Sequence, residues 1–137
     1  MKFIVYGEPH GKGRPRFSTR NGFVKTYTDL QTLSYENLIR VAYLEACHGM
    51  PLTLHNEVEL KLSCYFPIPK SASKKKKADM LQGVVKHTKK PDLDNVIKAV
   101  LDGLNSVAFD DDKQVCRMIA EKEYSDQPRI EVEINEL

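Results

Sequence analysis

Apolar and polar positions alternate most regularly between Glu57 and Phe66. Val58, Leu60, Leu62, Cys64 and Phe66 fall on one side, and Glu57, Glu59, Lys61, Ser63 and Tyr65 on the other. Successive side chains of a strand point to opposite faces, so the segment predicts a strand with one buried face, ended by Pro67 and Pro69. Near the C-terminus Ile130, Val132 and Ile134 alternate with Arg129, Glu131 and Glu133, which predicts a final, edge-like strand. Lys2 to Tyr6 is β-branched and aromatic and predicts a first strand. Gln114 to Glu123 predicts another, and Phe23 to Thr28 a short one after an Asn21-Gly22 turn.

Helical spacing governs two other stretches. Tyr35, Leu38, Ile39, Ala42, Tyr43 and Ala46 recur at three- and four-residue steps, with Asp29 as N-cap and Gly49 and Pro51 beyond the end near Cys47. The two tyrosines therefore read as core. Leu93, Val96, Ile97, Val100, Leu101, Leu104 and Val107 form a second, wider stripe on a helix that starts near Asp92 or Asp94. Asp94, Lys98 and Asp102 follow one another at steps of four on its other side.

Two segments lack such periodicity. GEPHGKGRPRF holds three glycines and two prolines and predicts a loop that displays Lys12, Arg14 and Arg16. KSASKKKKADMLQGVVKHTKK has weak apolar periodicity and predicts a long lysine-rich loop. No repeat or domain boundary interrupts the chain. Residues 1–137 then form a single α+β domain, a mixed β-sheet with two main helices packed on it and basic loops flanking the functional site.

Composition narrows the class. With 137 residues, 41% hydrophobic and 29% charged, the chain matches a globular domain with one core. It has neither an apolar run of membrane-spanning length nor a cleavable leader, so a cytoplasmic location with no membrane partner is expected. Cys47, Cys64 and Cys116 have no zinc spacing and read as reduced, buried thiols. The histidines are scattered and never spaced by four, which argues against a His/Cys zinc site.

Charge is segregated more than the net +2 suggests. His10 to Thr26 carries five basic residues and no acidic one, and Lys70 to Lys90 carries eight lysines against Asp79. From Pro91 onward twelve acidic residues face five basic ones. Local basic patches of this kind suit a polyanion. The expected nucleic-acid contacts are Lys12, Arg14, Arg16, Lys74, Lys75, Lys76, Lys77, Lys89 and Lys90.

The acidic segment suggests chemistry. Asp92 and Asp94 lie two apart, either on an extended approach to the helix or at its positive N-terminal end. Close like charges are costly unless a cation lies between them. Magnesium takes oxygen ligands from a few carboxylates, waters and substrate phosphate, and Asp110, Asp111 and Asp112 offer further carboxylates. Lys98 could bridge its helical neighbours, or place positive charge where a scissile phosphate becomes more negative.

The run Asp92-Leu93-Asp94-Asn95-Val96-Ile97-Lys98, then Asp102-Gly103-Leu104, then Asp111-Asp112-Lys113-Gln114-Val115 resembles the signature of the RusA family of Holliday junction resolvases. That signature is DLDN, a lysine four residues after the second aspartate, DxL on the same helix, then DDxQV. The motif itself is short, but length, element order and basic segments are compatible across the chain. The resemblance implies a small α+β homodimer that nicks two opposed strands of branched, four-way DNA with Mg²⁺ or Mn²⁺ and no small-molecule cofactor. It implies Asp92, Asp94 and Asp112 as metal-binding catalytic carboxylates and Lys98 as the catalytic lysine. Asp111 would be a further ligand or a supporting group, and Asp102 and Asn95 would support the site from behind. The extra acid Asp110 departs from the pattern and is expected to be dispensable. A DNA-binding module without catalysis and a metal-dependent nuclease for other branched DNA are the competing readings.

Overall fold

The computed structural model describes residues 1–13, 16–20, 22–27 and 30–137, with backbone alone for 16–20 and 23–27. Strands β1 (Lys2–Tyr6), β4 (Val58–Pro67), β5 (Val115–Ser125) and β6 (Arg129–Glu136) form a four-stranded sheet in the order β1-β6-β4-β5. β1 and β4 pair antiparallel with β6, whereas β4 and β5 run parallel, so the sheet is mixed. β2 (Arg16–Arg20) and β3 (Phe23–Tyr27) form a separate antiparallel hairpin. Three helices complete the fold: α1 (Leu30–Ala46), α2 (Lys74–Leu81) and α3 (Leu93–Leu104). The α+β expectation is borne out.

The core lies between the sheet and α1 and α3. All five inward residues of β4 are buried, joined by Ile130, Val132 and Ile134 of β6 and Phe3 and Val5 of β1. α3 contributes Val96, Ala99, Val100, Gly103 and Leu104. Tyr35 and Tyr43 of α1 are core residues, as their spacing implied. No helix among the described residues is long and apolar enough to cross a membrane.

Several expectations need correction. β6 is an interior strand, between β1 and β4. Its charged positions line an uncovered face of the sheet, and an antiparallel pair can leave one face to water without lying at an edge. The lysine segment contains a third helix. Ser73 caps it by accepting from the Lys76 N–H at 3.2 Å, lysine is a good helix former, and Met80 is its one fully buried residue. A single anchor leaves no period to detect. Regular structure also enters the segment read as loop, because Arg16 and Phe17 open β2. On α1 the buried stripe is Thr32, Tyr35, Glu36, Ile39 and Tyr43, while Leu38 is 48% exposed. Cys47 and Cys64 are buried but Cys116 is exposed. Asp29, Arg14 and Asn21 lie outside the described residues, as does the side chain of Arg16.

Candidate active site

The start of α3 is held from two sides. Lys122 of β5 donates to the carbonyls of Lys89 and Pro91 at 2.6 and 2.8 Å, which fixes the approach to the helix. On the other side the N-terminal loop lies over the first turn, with the Lys12 N–H donating to the Asn95 carbonyl at 2.8 Å. Gly11 makes that approach possible. A Cβ there would stand 2.8 Å from Cβ of Pro91 and 3.0 Å from Cβ of Asn95. Between loop and helix lies a cleft of about 680 Å³ lined by His10, Lys12, Lys90, Asp92 and Asn95, among others.

Asp92 is the N-cap residue of α3, yet its side chain makes no capping hydrogen bond. Asp94, in the first turn, accepts among the described residues only from the Asn95 N–H, at 3.0 Å. Both side chains are exposed. A turn later Lys98 donates to Asp102 Oδ1 at 3.1 Å and to Asp112 Oδ2 at 3.4 Å. The hydrogen bond to Asp102 raises the Lys98 pKa, burial opposes it, and the charges of Asp102 and Asp112 add to the rise. Asp102 Oδ2 accepts from Lys12, whose ammonium also meets Glu36 Oε1 at 3.2 Å. Burial acts to raise the Asp102 pKa, but Lys12 and Lys98 outweigh it and hold the carboxyl below its usual range. Burial likewise lowers the Lys12 pKa, and its two carboxylate partners more than reverse that.

The aspartate triplet is divided among three partners. Phe109, fully buried, anchors the turn from the core side. Asp110 meets His55 Nδ1 at 2.8 Å and raises the imidazole pKa. Asp111 caps the 3₁₀ turn Asp112–Gln114, accepting from the Lys113 N–H at 2.9 Å while the Gln114 side chain accepts from its own N–H at 2.9 Å. Asp112 is the member directed to Lys98.

Asp112, Lys98, Asp102 and Lys12 are thus brought into one line, with Asp92 and Asp94 at the helix end. Among the described residues no three His, Cys, Asp or Glu side chains converge closely enough to form a ready-made metal cage. Of the expected DNA contacts, Lys74, Lys75 and Lys76 project from α2, Lys77 is half-buried, and Lys89 and Lys90 are exposed beside the cleft. Lys12 instead turns inward.

Three residues that matter to this geometry were not read from the sequence, and a fourth, Gln114, was read only as a member of the motif. Lys122 gave no signal, since nothing in an alternating strand marks a lysine that will clamp another loop. His87 stacks on Phe66 with ring centres 3.7 Å apart and meets Tyr124 edge-on, anchoring the segment between α2 and α3. Gln114 donates to the carbonyls of Leu54 and Asn56 at 3.1 and 3.0 Å. Glu36 could have been found, because it shares the helical phase of Thr32, Ile39 and Tyr43, and a buried carboxylate needs a cation.

Comparison with known proteins agrees with the motif. Over 139 aligned positions the chain is 40% identical to the uncharacterized protein YqaN of Bacillus subtilis (strain 168), covering 100% of this chain and 96% of that protein. Residues 6–135 match the family model described as endodeoxyribonuclease RusA, and the chain belongs to that family.

Proposed function

We propose that the protein is a Mg²⁺-dependent endodeoxyribonuclease that resolves four-way (Holliday) junctions by paired symmetric nicks in DNA recombination and repair. The observation that carries this reading is the line of Asp112, Lys98 and Asp102 beside an exposed helix start bearing Asp92 and Asp94. The donor set suits a hard cation. Every side chain proposed as a ligand is a carboxylate, Asp92 has no capping bond to give up, and Asp94 spends one oxygen on a neighbouring N–H. Asp92, Asp94 and Asp112 would hold Mg²⁺, or Mn²⁺ in its place, with Asp111 as a further candidate engaged in its cap. The bound ion would supply an activated water and stabilise charge on the phosphoryl oxygens.

The chain's own residues supply the rest. Lys98 has a raised pKa, so near neutral pH it acts as a fixed cation beside the scissile phosphate rather than as a base. Lys74 to Lys77, Lys89 and Lys90 form no ion pair among the described residues and are available to the phosphate backbone. Affinity from such contacts falls steeply with salt, whereas junction preference arises from DNA shape. A homodimer would offer two equivalent sites to a two-fold symmetric substrate.

The test is Asp94→Asn, assayed for Mg²⁺-dependent nicking and gel shift on a synthetic four-way junction. Retained binding with nicking abolished is expected, and undiminished nicking would remove Asp94 from the site. Wild-type binding without nicking would assign a non-catalytic DNA-binding module. Equal activity on flaps and junctions would assign a nuclease for other branched DNA, and a stable monomer in light scattering would exclude the dimer.

A further inference from the structure

The sequence places Lys12 among five basic residues of a glycine-rich segment, where a phosphate contact is the natural expectation. Its ammonium goes elsewhere. It lies in the gap between α1 and α3, against Glu36 of one helix and Asp102 of the other, with its side chain 24% exposed. The backbone holds it there: its own N–H bonds to Asn95, the Gly13 N–H donates to Thr32 Oγ1 at 2.9 Å, and Gly11 fits against Pro91 only because it lacks a Cβ.

The charges alternate along one path: Glu36, Lys12, Asp102, Lys98, Asp112. Asp102 stands in the middle and divides its oxygens, Oδ2 to Lys12 and Oδ1 to Lys98. The side chain of Lys98 is 53% exposed and that of Asp102 only 15%, so Lys98 takes its direction from Asp102 rather than the reverse. Glu36 cannot turn to water from the inner face of α1, and Lys12 is its one ion-pair partner among the described residues. Removing the ammonium would strand the buried Glu36 carboxylate and take one of two cations from Asp102. Breaking such a pair costs more than forming it gains, because an uncompensated charge stays behind. Asp102 would then have Lys98 as its remaining cation and would draw it away from Asp112.

We propose that Lys12 is a positioning residue, which through Asp102 sets where the Lys98 ammonium stands relative to Asp112. Its catalytic consequence rests on the nuclease reading above; the contact itself does not. The depressed Asp102 pKa, with burial opposing and Lys12 and Lys98 prevailing, agrees with two cations on one carboxylate.

The experiment compares wild type, Lys12→Met, Lys12→Arg and Lys12→Met/Glu36→Gln on a four-way junction, with Lys90→Met as the reference for a phosphate contact. Junction Kd is measured across a salt series, and single-turnover nicking at saturating enzyme. Lys12→Met is expected to keep the wild-type salt slope and bind within about twofold, while nicking slows by roughly 10²-fold, as small misplacements in an active site do. Lys12→Arg should recover part of that loss. The double variant, which strands no Glu36 charge, should regain thermal stability and remain slow, separating misplacement from unfolding. Lys90→Met should lower the salt slope by about 0.9. The readout independent of activity is a carbon-detected NMR titration of the Asp102 carboxyl, which should move upward in Lys12→Met. A salt slope reduced by about 0.9 with unchanged saturated nicking would make Lys12 a phosphate contact and overturn the proposal. An unmoved Asp102 titration would also overturn it. A wild type that does not nick defeats the nuclease reading, and the Asp102 titration then decides the Lys12 contact alone.

Discussion

Gly103 packs α3 tightly against α1, and replacing it by alanine sets two known effects against each other. A Cβ at this position would stand 2.9 Å from the Glu36 backbone oxygen and 3.1 Å from Cβ and Cγ2 of Ile39. Carbon–oxygen contacts ordinarily begin near 3.3 Å and carbon–carbon contacts near 3.5 Å, so the helices would have to part by roughly 0.4 Å. Alanine is better than glycine in a helix interior by about 1 kcal/mol. An extra methyl in a close-packed contact costs about 1–3 kcal/mol. Neither obstacle can swing aside here, since one is a helix carbonyl and the other the branch point of the fully buried Ile39. Strain should therefore win by about 1 kcal/mol, lowering Tm by about 3–5 °C for a chain of this length.

The same substitution reaches the site. Gly103 follows Asp102, and the carbonyl it would push belongs to Glu36, so parting the helices stretches the Lys12 bridge at both ends. Circular-dichroism melts and single-turnover nicking of Gly103→Ala, read together, should both fall. A Tm raised by about 3 °C would mean that propensity prevails and would refute the close contact on which the Lys12 bridge depends.

Two further predictions concern groups around the site. Burial, aided by Lys122 and Lys89, lowers the His87 pKa from 6.5 to about 4, so the folded protein keeps this ring neutral where the unfolded chain protonates it. Stability from His87 should be full above pH 6.5 and drain away as pH falls toward 4, by about 1–2 kcal/mol after allowing for partial solvent contact. Urea melts at pH 7 and 4.5 should show that loss, and His87→Phe, which keeps the stack on Phe66, should remove it; an unchanged difference would refute the assignment. Gln114→Glu keeps the shape of the side chain but turns a donor to two carbonyls into an acceptor. It should cost about 1–3 kcal/mol in urea melts and slow nicking by displacing Asp112, and a wild-type melt would refute that role.

Elements with one clean period were legible. Val58 to Phe66 buries every apolar side chain that the alternation turned inward, and the α3 stripe buries Val96, Val100 and Leu104 with Leu93, Ile97 and Leu101 half-buried against the core. Legibility failed where a contact between distant segments decides. Leu38 fits the helical spacing yet faces out, because α1 turns Glu36 inward to meet a lysine from the N-terminal loop. α2 rests on Met80 and a serine cap, too little apolar surface to make a pattern. β6 was misplaced for a different reason: its charges report a solvent-facing side of the sheet, and a strand's own residues carry no record of how many neighbours it has. The motif showed which residue types gather, but the direction of each side chain came only with the packing.

The aspartate triplet shows how far that distinction reaches. Three consecutive carboxylates in one turn would repel if they shared a direction, and the motif register favours Asp112 over Asp111 without showing where either side chain points. Phe109 pins the turn to the core, and the backbone then rotates from one residue to the next. Asp110 is led to an imidazole from the segment after α1, Asp111 back onto its own turn, and Asp112 toward α3. Each charge has a different partner, which is how the three coexist without a common counter-ion. Asp111 spends its carboxylate on capping, and that cap aims Asp112. Its loss should therefore disturb Asp112 as well, so a weakened Asp111 variant alone would not identify a metal ligand. The cleaner discrimination is conservative: Asp111→Asn keeps an acceptor for the Lys113 N–H and spares the turn, whereas Asp112→Asn removes the charge that faces Lys98.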